Sequence, residues 1–177
     1  MSTLTKLIMA IILPEDKYVD VDGVSTRYWC LGTKDSSVLF IHGQGGAVDY
    51  WYKNVFSMAE RHQAYALDWA GSGKTDKPSA TYGLDDVTQF IIRFMDVVGL
   101  SHSTLVAGSV GGMLALKKAS TLILWGRQDR AFPVSHAEIA RNRIPDSQLK
   151  VFEECGHLPY LEYADEFNTT VLEFLST

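Results

Sequence analysis

Residues 105–112 read Leu105-Val106-Ala107-Gly108-Ser109-Val110-Gly111-Gly112. An aliphatic, β-branched strand runs into small residues with a serine at the apex. Met113-Leu114-Ala115-Leu116-Lys117-Lys118 follows at once with helix-forming residues. This is a strand–turn–helix of the G-x-S-x-G type, with Ala107 at the first glycine. A turn this sharp lifts the Ser109 hydroxyl clear of the sheet and aims main-chain N–H groups at the helix start toward it. Small flanking residues are needed because strand and helix pass too close for bulky side chains.

Two later segments give the serine its context. Residues 121–133 form an apolar strand that ends in a loop carrying Asp129. Residues 149–157, Leu-Lys-Val-Phe-Glu-Glu-Cys-Gly-His, form a strand that runs into a loop carrying His157. The chain order Ser109, Asp129, His157 is that of a hydrolase triad on an α/β sheet, and not the chymotrypsin or subtilisin order.

At this point the sequence resembles the α/β-hydrolase superfamily, from about Tyr18 onward. Five blocks carry the resemblance: Val38–Gly46 with His42-Gly43-Gln44, Asp68–Asp76, the serine turn, Leu124–Asp129 and Cys155–Glu162. The last two look most like the branch of meta-cleavage (C–C bond) hydrolases and related small-molecule esterases. The resemblance implies a three-layer α/β/α sandwich around a mainly parallel sheet, with Ser109 as nucleophile, His157 as base and Asp129 as its anionic partner. It also implies an oxyanion hole from the main-chain N–H groups of Gln44 and Val110, and it implies that His42 holds the loop structurally.

The departure from the family lies between Ser109 and Asp129, only 20 positions apart. Typical members place a further strand, a helix and a helical cap there. A helix over 110–119 rises roughly 15 Å and a strand over 121–125 spans about 16 Å. One helix is therefore long enough to return the chain for one more parallel strand. The expected molecule is a single closed sheet without the cap and without one strand–helix unit.

Composition sets the bounds. The chain has 177 residues, 46% apolar and 21% charged, enough for one globular domain over 1–177. A net charge of −5 with no basic stripe argues against nucleic acid as a partner. Two cysteines, Cys30 and Cys155, give neither a disulfide framework nor metal spacing. No cofactor or metal is expected, and the compartment reads as reducing and cytoplasmic. Residues 1–16 read as an N-terminal extension whose apolar run, Leu7–Leu13, is too short to span a bilayer. Apolar surface left by the missing cap suggests a homodimer.

The remaining elements follow from pattern. Residues 18–22 and 24–31 form a hairpin turning at Asp22-Gly23, and 37–41 and 63–67 are parallel strands. Residues 49–59, 84–98 and 164–175 are helical, with Gly99 ending the second. Trp51 and Trp69 are candidate rim residues for substrate, with plain core as the alternative for either, and His62, His102 and His136 read as residues of the surface or of the layer behind the site. Gly71-Ser72-Gly73-Lys74-Thr75 imitates the end of a phosphate loop, but Asp68 stands where that motif needs its first glycine. Three functions remain: a cofactor-free serine carboxylesterase for short- to medium-chain esters, a C–C hydrolase of vinylogous diketones, or an impaired remnant that binds a partner. The short Ser109–Asp129 interval supports the last, and a structure in which Asp129 cannot reach His157 would favour it.

Overall fold

The computed structural model describes residues 13–79, 82–109, 121–144 and 146–176. The apolar run before Leu13, the segment 110–120 expected as the helix after Ser109, and Val110 itself lie outside the described residues.

The chain opens with an antiparallel hairpin, β1 (Lys17–Val21) and β2 (Val24–Leu31). Asp22 (φ 53°) and Gly23 (φ 82°) turn it with both central residues left-handed, the twist that two-residue hairpins require. The Asp20 carboxylate accepts the Gly23 N–H at 3.0 Å and pins the turn. Next come β3 (Ser37–Ile41), a 3₁₀ turn (Val48–Trp51), α1 (Val55–Ala59), β4 (Gln63–Leu67), α2 (Leu84–Val97) and β5 (Thr104–Ala107). The helix expected over 49–59 is thus two short pieces. Beyond the undescribed segment lie β6 (Leu122–Gly126), α3 (Ser135–Arg143), β7 (Gln148–Phe152), α4 (Pro159–Glu162) and α5 (Ala164–Phe174).

Five strands pair in the order β1-β2-β4-β3-β5, with β3 parallel to both β4 and β5. The period-2 alternation of side chains divides the core into two layers. Val38, Phe40, Ala64, Ala66 and Val106 face one side, where they meet Trp51, Met58, Tyr160, Phe167 and Val171. Leu39, Ile41, Tyr65 and Leu67 face the other and meet α2. That helix presents Val87, Phe90, Ile91 and Phe94 at i, i+3, i+4 and i+7, a single apolar stripe. Asp86 accepts the Gly83 N–H at 2.9 Å at its start, and Gly99, at φ 76°, ends it with a left-handed residue. Each large side chain buried in these layers contributes about 1.5–3 kcal/mol.

The single closed sheet expected from chain length is not what forms. Among the described residues β6 pairs only with β7, in parallel, and the two make a separate sheet. Leu122, Ile123, Leu124 and Trp125 are only half-buried, whereas Val38–Ile41 of β3 are fully buried. A one-helix crossover is long enough to bring β6 alongside β5, but length alone does not create the ladder. Instead, side-chain packing docks the smaller sheet. The Tyr160 ring stands 4.3 Å from that of Trp51, Asn54 donates to Asn168 at 2.8 Å, and Lys53 donates to the Leu161 carbonyl at 3.0 Å.

Candidate active site

Ser109 follows β5 by two residues and has φ 53°, a left-handed backbone for a residue with a Cβ. Such a conformation costs about 1–2 kcal/mol and persists only where surrounding packing imposes it. Here the packing is tight on both flanks. A Cβ on Gly43 would lie 2.8 Å from the Ser109 Cβ, and one on Gly108 would lie 3.2 Å from the Tyr160 ring. The glycines therefore let the serine turn press against the loop after β3 and against α4.

The Asp129 and His157 side chains meet. Asp129 lies on the loop after β6 and His157 on the loop after β7, and the imidazole Nδ1–H donates to the carboxylate Oδ2 at 2.7 Å. A carboxylate only accepts, so this bond fixes the tautomer and leaves Nε2 as the basic nitrogen. The other carboxylate oxygen accepts the main-chain N–H groups of Ala131 (2.8 Å) and Phe132 (2.9 Å). Burial by itself would raise the pKa of Asp129. The His157 bond and the two main-chain N–H groups outweigh it and hold the carboxyl below the usual range. The Asp129 side chain is 4% exposed and that of His157 33%, so the acid is covered while the ring reaches solvent. No hydrogen bond joins Ser109 to His157 among the described residues.

Backbone contact between the two loops sets this pairing. A Cβ on Gly126 would overlap the carbonyl oxygens of Gly156 and Cys155, and Gln128 N–H donates to the Cys155 carbonyl at 2.9 Å. Glu162 adds a clamp that sequence reading missed. Its carboxylate accepts the N–H of Gly156 (2.9 Å) and of Leu158 (3.1 Å), the residues on either side of His157. The available signal was an acid shortly after the Gly-His pair. Phe132 was also missed: its ring is exposed and stands 5.5 Å from that of His157.

On the opposite side, Gly43-Gln44-Gly45-Gly46 is a tight turn closed by Gly46 N–H to the Gly43 carbonyl (3.1 Å), with Gly45 at φ 73°. Gln44 is exposed, and its main-chain N–H has no partner among the described residues. His42 is fully buried; its Nδ1–H donates to the Gly43 carbonyl at 2.7 Å, and its ring stacks on Trp69. Burial lowers the pKa of His42 and keeps the ring neutral.

The two candidate rim residues separate. Trp69 is half-buried and donates to the His42 carbonyl at 3.4 Å. Trp51 is not a rim residue: it is fully buried between Phe40 and Tyr160, because the 3₁₀ turn directs it into the core instead of along an open helix face. A shallow depression at the acid–base pair is lined by Gln128, Arg130, Glu154 and Glu162 with Asp129 and His157, and Ser109 is not among its walls. Of the remaining histidines, His62 bonds the Ser36 hydroxyl at 2.8 Å, and the His136 ring stands 6.5 Å from Phe132.

Comparison with known proteins places this geometry. The family profile described as alpha/beta hydrolase fold matches residues 36–121 and 117–164, two stretches that meet where the chain is short. A 2-hydroxy-6-oxo-6-phenylhexa-2,4-dienoate hydrolase of Burkholderia cepacia is 44% identical over 72 residues, covering 41% of this chain and 25% of that protein. The dihydrolipoyllysine-residue acetyltransferase component of the acetoin cleaving system of Cupriavidus necator is 37% identical over 103 residues, 58% of this chain and 28% of that one. The chain thus spans about a quarter of the length of the curated relatives it matches. Among solved structures, the meta-cleavage product hydrolase of Pseudomonas fluorescens IP01 superposes with TM-score 0.84 at 21% identity, covering 90% of this chain and 97% of that one. A carboxylesterase of Bacillus subtilis gives 0.83 at 17%, covering 96% and 95%. No helix among the described residues is long and apolar enough to cross a membrane. The matched profile covers well over half of the chain and makes this chain a member of the alpha/beta hydrolase family.

Proposed function

We propose that the chain is a serine hydrolase that cleaves short- to medium-chain acyl esters through an acyl-enzyme. The observation that carries this reading is the Asp129–His157 bond of 2.7 Å, which presents a tautomerically fixed imidazole. An Asp129 out of reach of His157 would have favoured the remnant reading, and the two side chains are within hydrogen-bond distance. A serine hydroxyl is a weak nucleophile at neutral pH and needs such a base. His157 Nε2 takes the proton as Ser109 Oγ bonds to the acyl carbon. It then returns the proton to the departing alcohol, and water releases the acid by the same path. Gln44 N–H, with Val110 N–H as the expected second donor, meets the oxyanion.

A second reading is C–C hydrolysis of a vinylogous diketone. It is favoured by the Burkholderia cepacia relative, whose name gives a 2-hydroxy-6-oxo dienoate as what it hydrolyses. The two are separated by initial rates on p-nitrophenyl acetate, butyrate and octanoate against a dienol ketone substrate, with Ser109→Ala as control. Saturable ester turnover lost in the variant supports the esterase; turnover of the dienol ketone alone supports the second reading. Equal rates in both proteins on every substrate refute both.

A further inference from the structure

Behind the oxyanion loop lies a charged centre that the proposed chemistry does not use. Asp68 follows β4 and is fully buried. Its Oδ1 accepts the Val48 N–H at 2.6 Å, and its Oδ2 accepts the Lys74 N–H at 2.9 Å and Arg27 Nη1 at 3.3 Å. Arg27 is itself 1% exposed, so the carboxylate is paired with a cation that solvent does not screen. The site is built around the carboxylate: at Gly73, φ 49°, a Cβ would overlap it. The His42 Nε2, buried and without a hydrogen-bond partner among the described residues, stands 3.8 Å from Asp68 Oδ1.

These contacts grip both ends of one loop. At residue 48 the main chain is bonded to Asp68. At residues 42–43 the His42 ring, which faces Asp68, donates to the Gly43 carbonyl. Between the two ends lie Gln44 and Gly45, and Gly43 packs against Ser109. We infer that Asp68 is a positioning residue for the oxyanion loop: its buried carboxylate fastens Val48 and faces His42, and so sets where the Gln44 N–H stands relative to Ser109. The inference rests on the serine-hydrolase reading and adds a residue to it. Asparagine is the informative substitution, because an amide offers one acceptor oxygen where the carboxylate serves donors on both of its oxygens.

The test is Asp68→Asn with His42→Phe as second variant, the latter keeping a ring against Trp69 but losing the bond to Gly43. Active sites are counted by the p-nitrophenol burst from diethyl p-nitrophenyl phosphate, then kcat and KM are measured per titrated site on p-nitrophenyl butyrate. The expected result is a fall in kcat of about 10- to 100-fold with KM little changed, short of the ~100- to 1000-fold seen when an oxyanion donor is removed outright. Amide hydrogen exchange at Val48 should accelerate in Asp68→Asn. Fewer sites of unchanged kcat would mean that Asp68 merely supports the fold, and would overturn the proposal. Wild-type protein that neither titrates nor turns over refutes the esterase reading separately. In that case unchanged Val48 protection in Asp68→Asn overturns the anchoring role, and lost protection upholds it.

Discussion

Replacing Asp129 with asparagine should abolish turnover while leaving the fold nearly intact, and the structure says why. The carboxylate uses one oxygen for two main-chain N–H groups, at 2.8 and 2.9 Å, and the other for His157. In Asp129→Asn the amide carbonyl oxygen must take the two-bond side. Turned the other way, the NH₂ would oppose two N–H donors and leave them unsatisfied, at about 1–3 kcal/mol each. The NH₂ therefore points at His157 and donates to Nδ1. The ring responds by carrying its proton on Nε2, where the proton of Ser109 has to go. The wrong tautomer in a triad of this kind lowers kcat by ~10⁴-fold, roughly 5.5 kcal/mol of barrier. The assay is kcat and KM on p-nitrophenyl butyrate with thermal unfolding alongside. The expected outcome is a fall of about four decades in kcat with Tm near that of wild type. Retention of more than about a tenth of kcat in a folded Asp129→Asn protein would refute the argument, because His157 would then not need Asp129 to set its proton.

Three further outcomes follow from particular contacts. Ser109→Gly should be more stable than Ser109→Ala by about 1 kcal/mol, or about 2–4 °C in Tm, since only glycine is unstrained at φ 53°; equal melting temperatures would contradict this. Gly126→Ala should lower kcat by about 100-fold, because the new methyl meets the Gly156 and Cys155 carbonyls and must displace the His157 loop; wild-type kinetics would show that the loop yields freely. Asp16 is opposed by its own burial, but bonds from Lys74, Trp29 and Arg27 prevail and bring its carboxyl down to about 2. Its folded value lies below the ordinary one, so its contribution is complete above about pH 4 and is lost as pH falls through about 2. Asp16→Asn should be destabilised by about 1–2 kcal/mol at pH 7 in urea titrations, a gap that narrows toward pH 3; a gap that widens in acid would have the wrong sign.

What was legible in the sequence was local or carried by short motifs. The Asp22-Gly23 hairpin, the stripe Val87-Phe90-Ile91-Phe94 and Gly99 as helix terminator all depend on neighbours within a few residues, and the structure has each of them. The Asp129–His157 pairing is nonlocal, and it was reached through two motif blocks and their resemblance to a family. Strand adjacency between β5 and β6 was argued from lengths alone. Lengths bound what a crossover can span but say nothing of which edges pair, and among the described residues β6 instead joins only β7. Trp51 failed for a related reason: a tryptophan after a loop reads the same whether it ends at a rim or in a core. Here the short 3₁₀ turn, which the hydrophobic pattern does not announce, turns it onto Phe40 and Tyr160. Glu162 and Asp68 act through main-chain N–H groups of other segments, contacts that leave no periodic trace.

The most direct test of the account is covalent. Incubation with diethyl p-nitrophenyl phosphate, followed by intact-mass measurement and peptide mapping, asks whether Ser109, His157 and the oxyanion loop assemble into one nucleophilic centre. The account predicts one diethylphosphoryl group per chain, on Ser109, absent from Ser109→Ala and formed far more slowly in Asp129→Asn. An unmodified wild-type chain, or modification that is the same in Ser109→Ala, would contradict it.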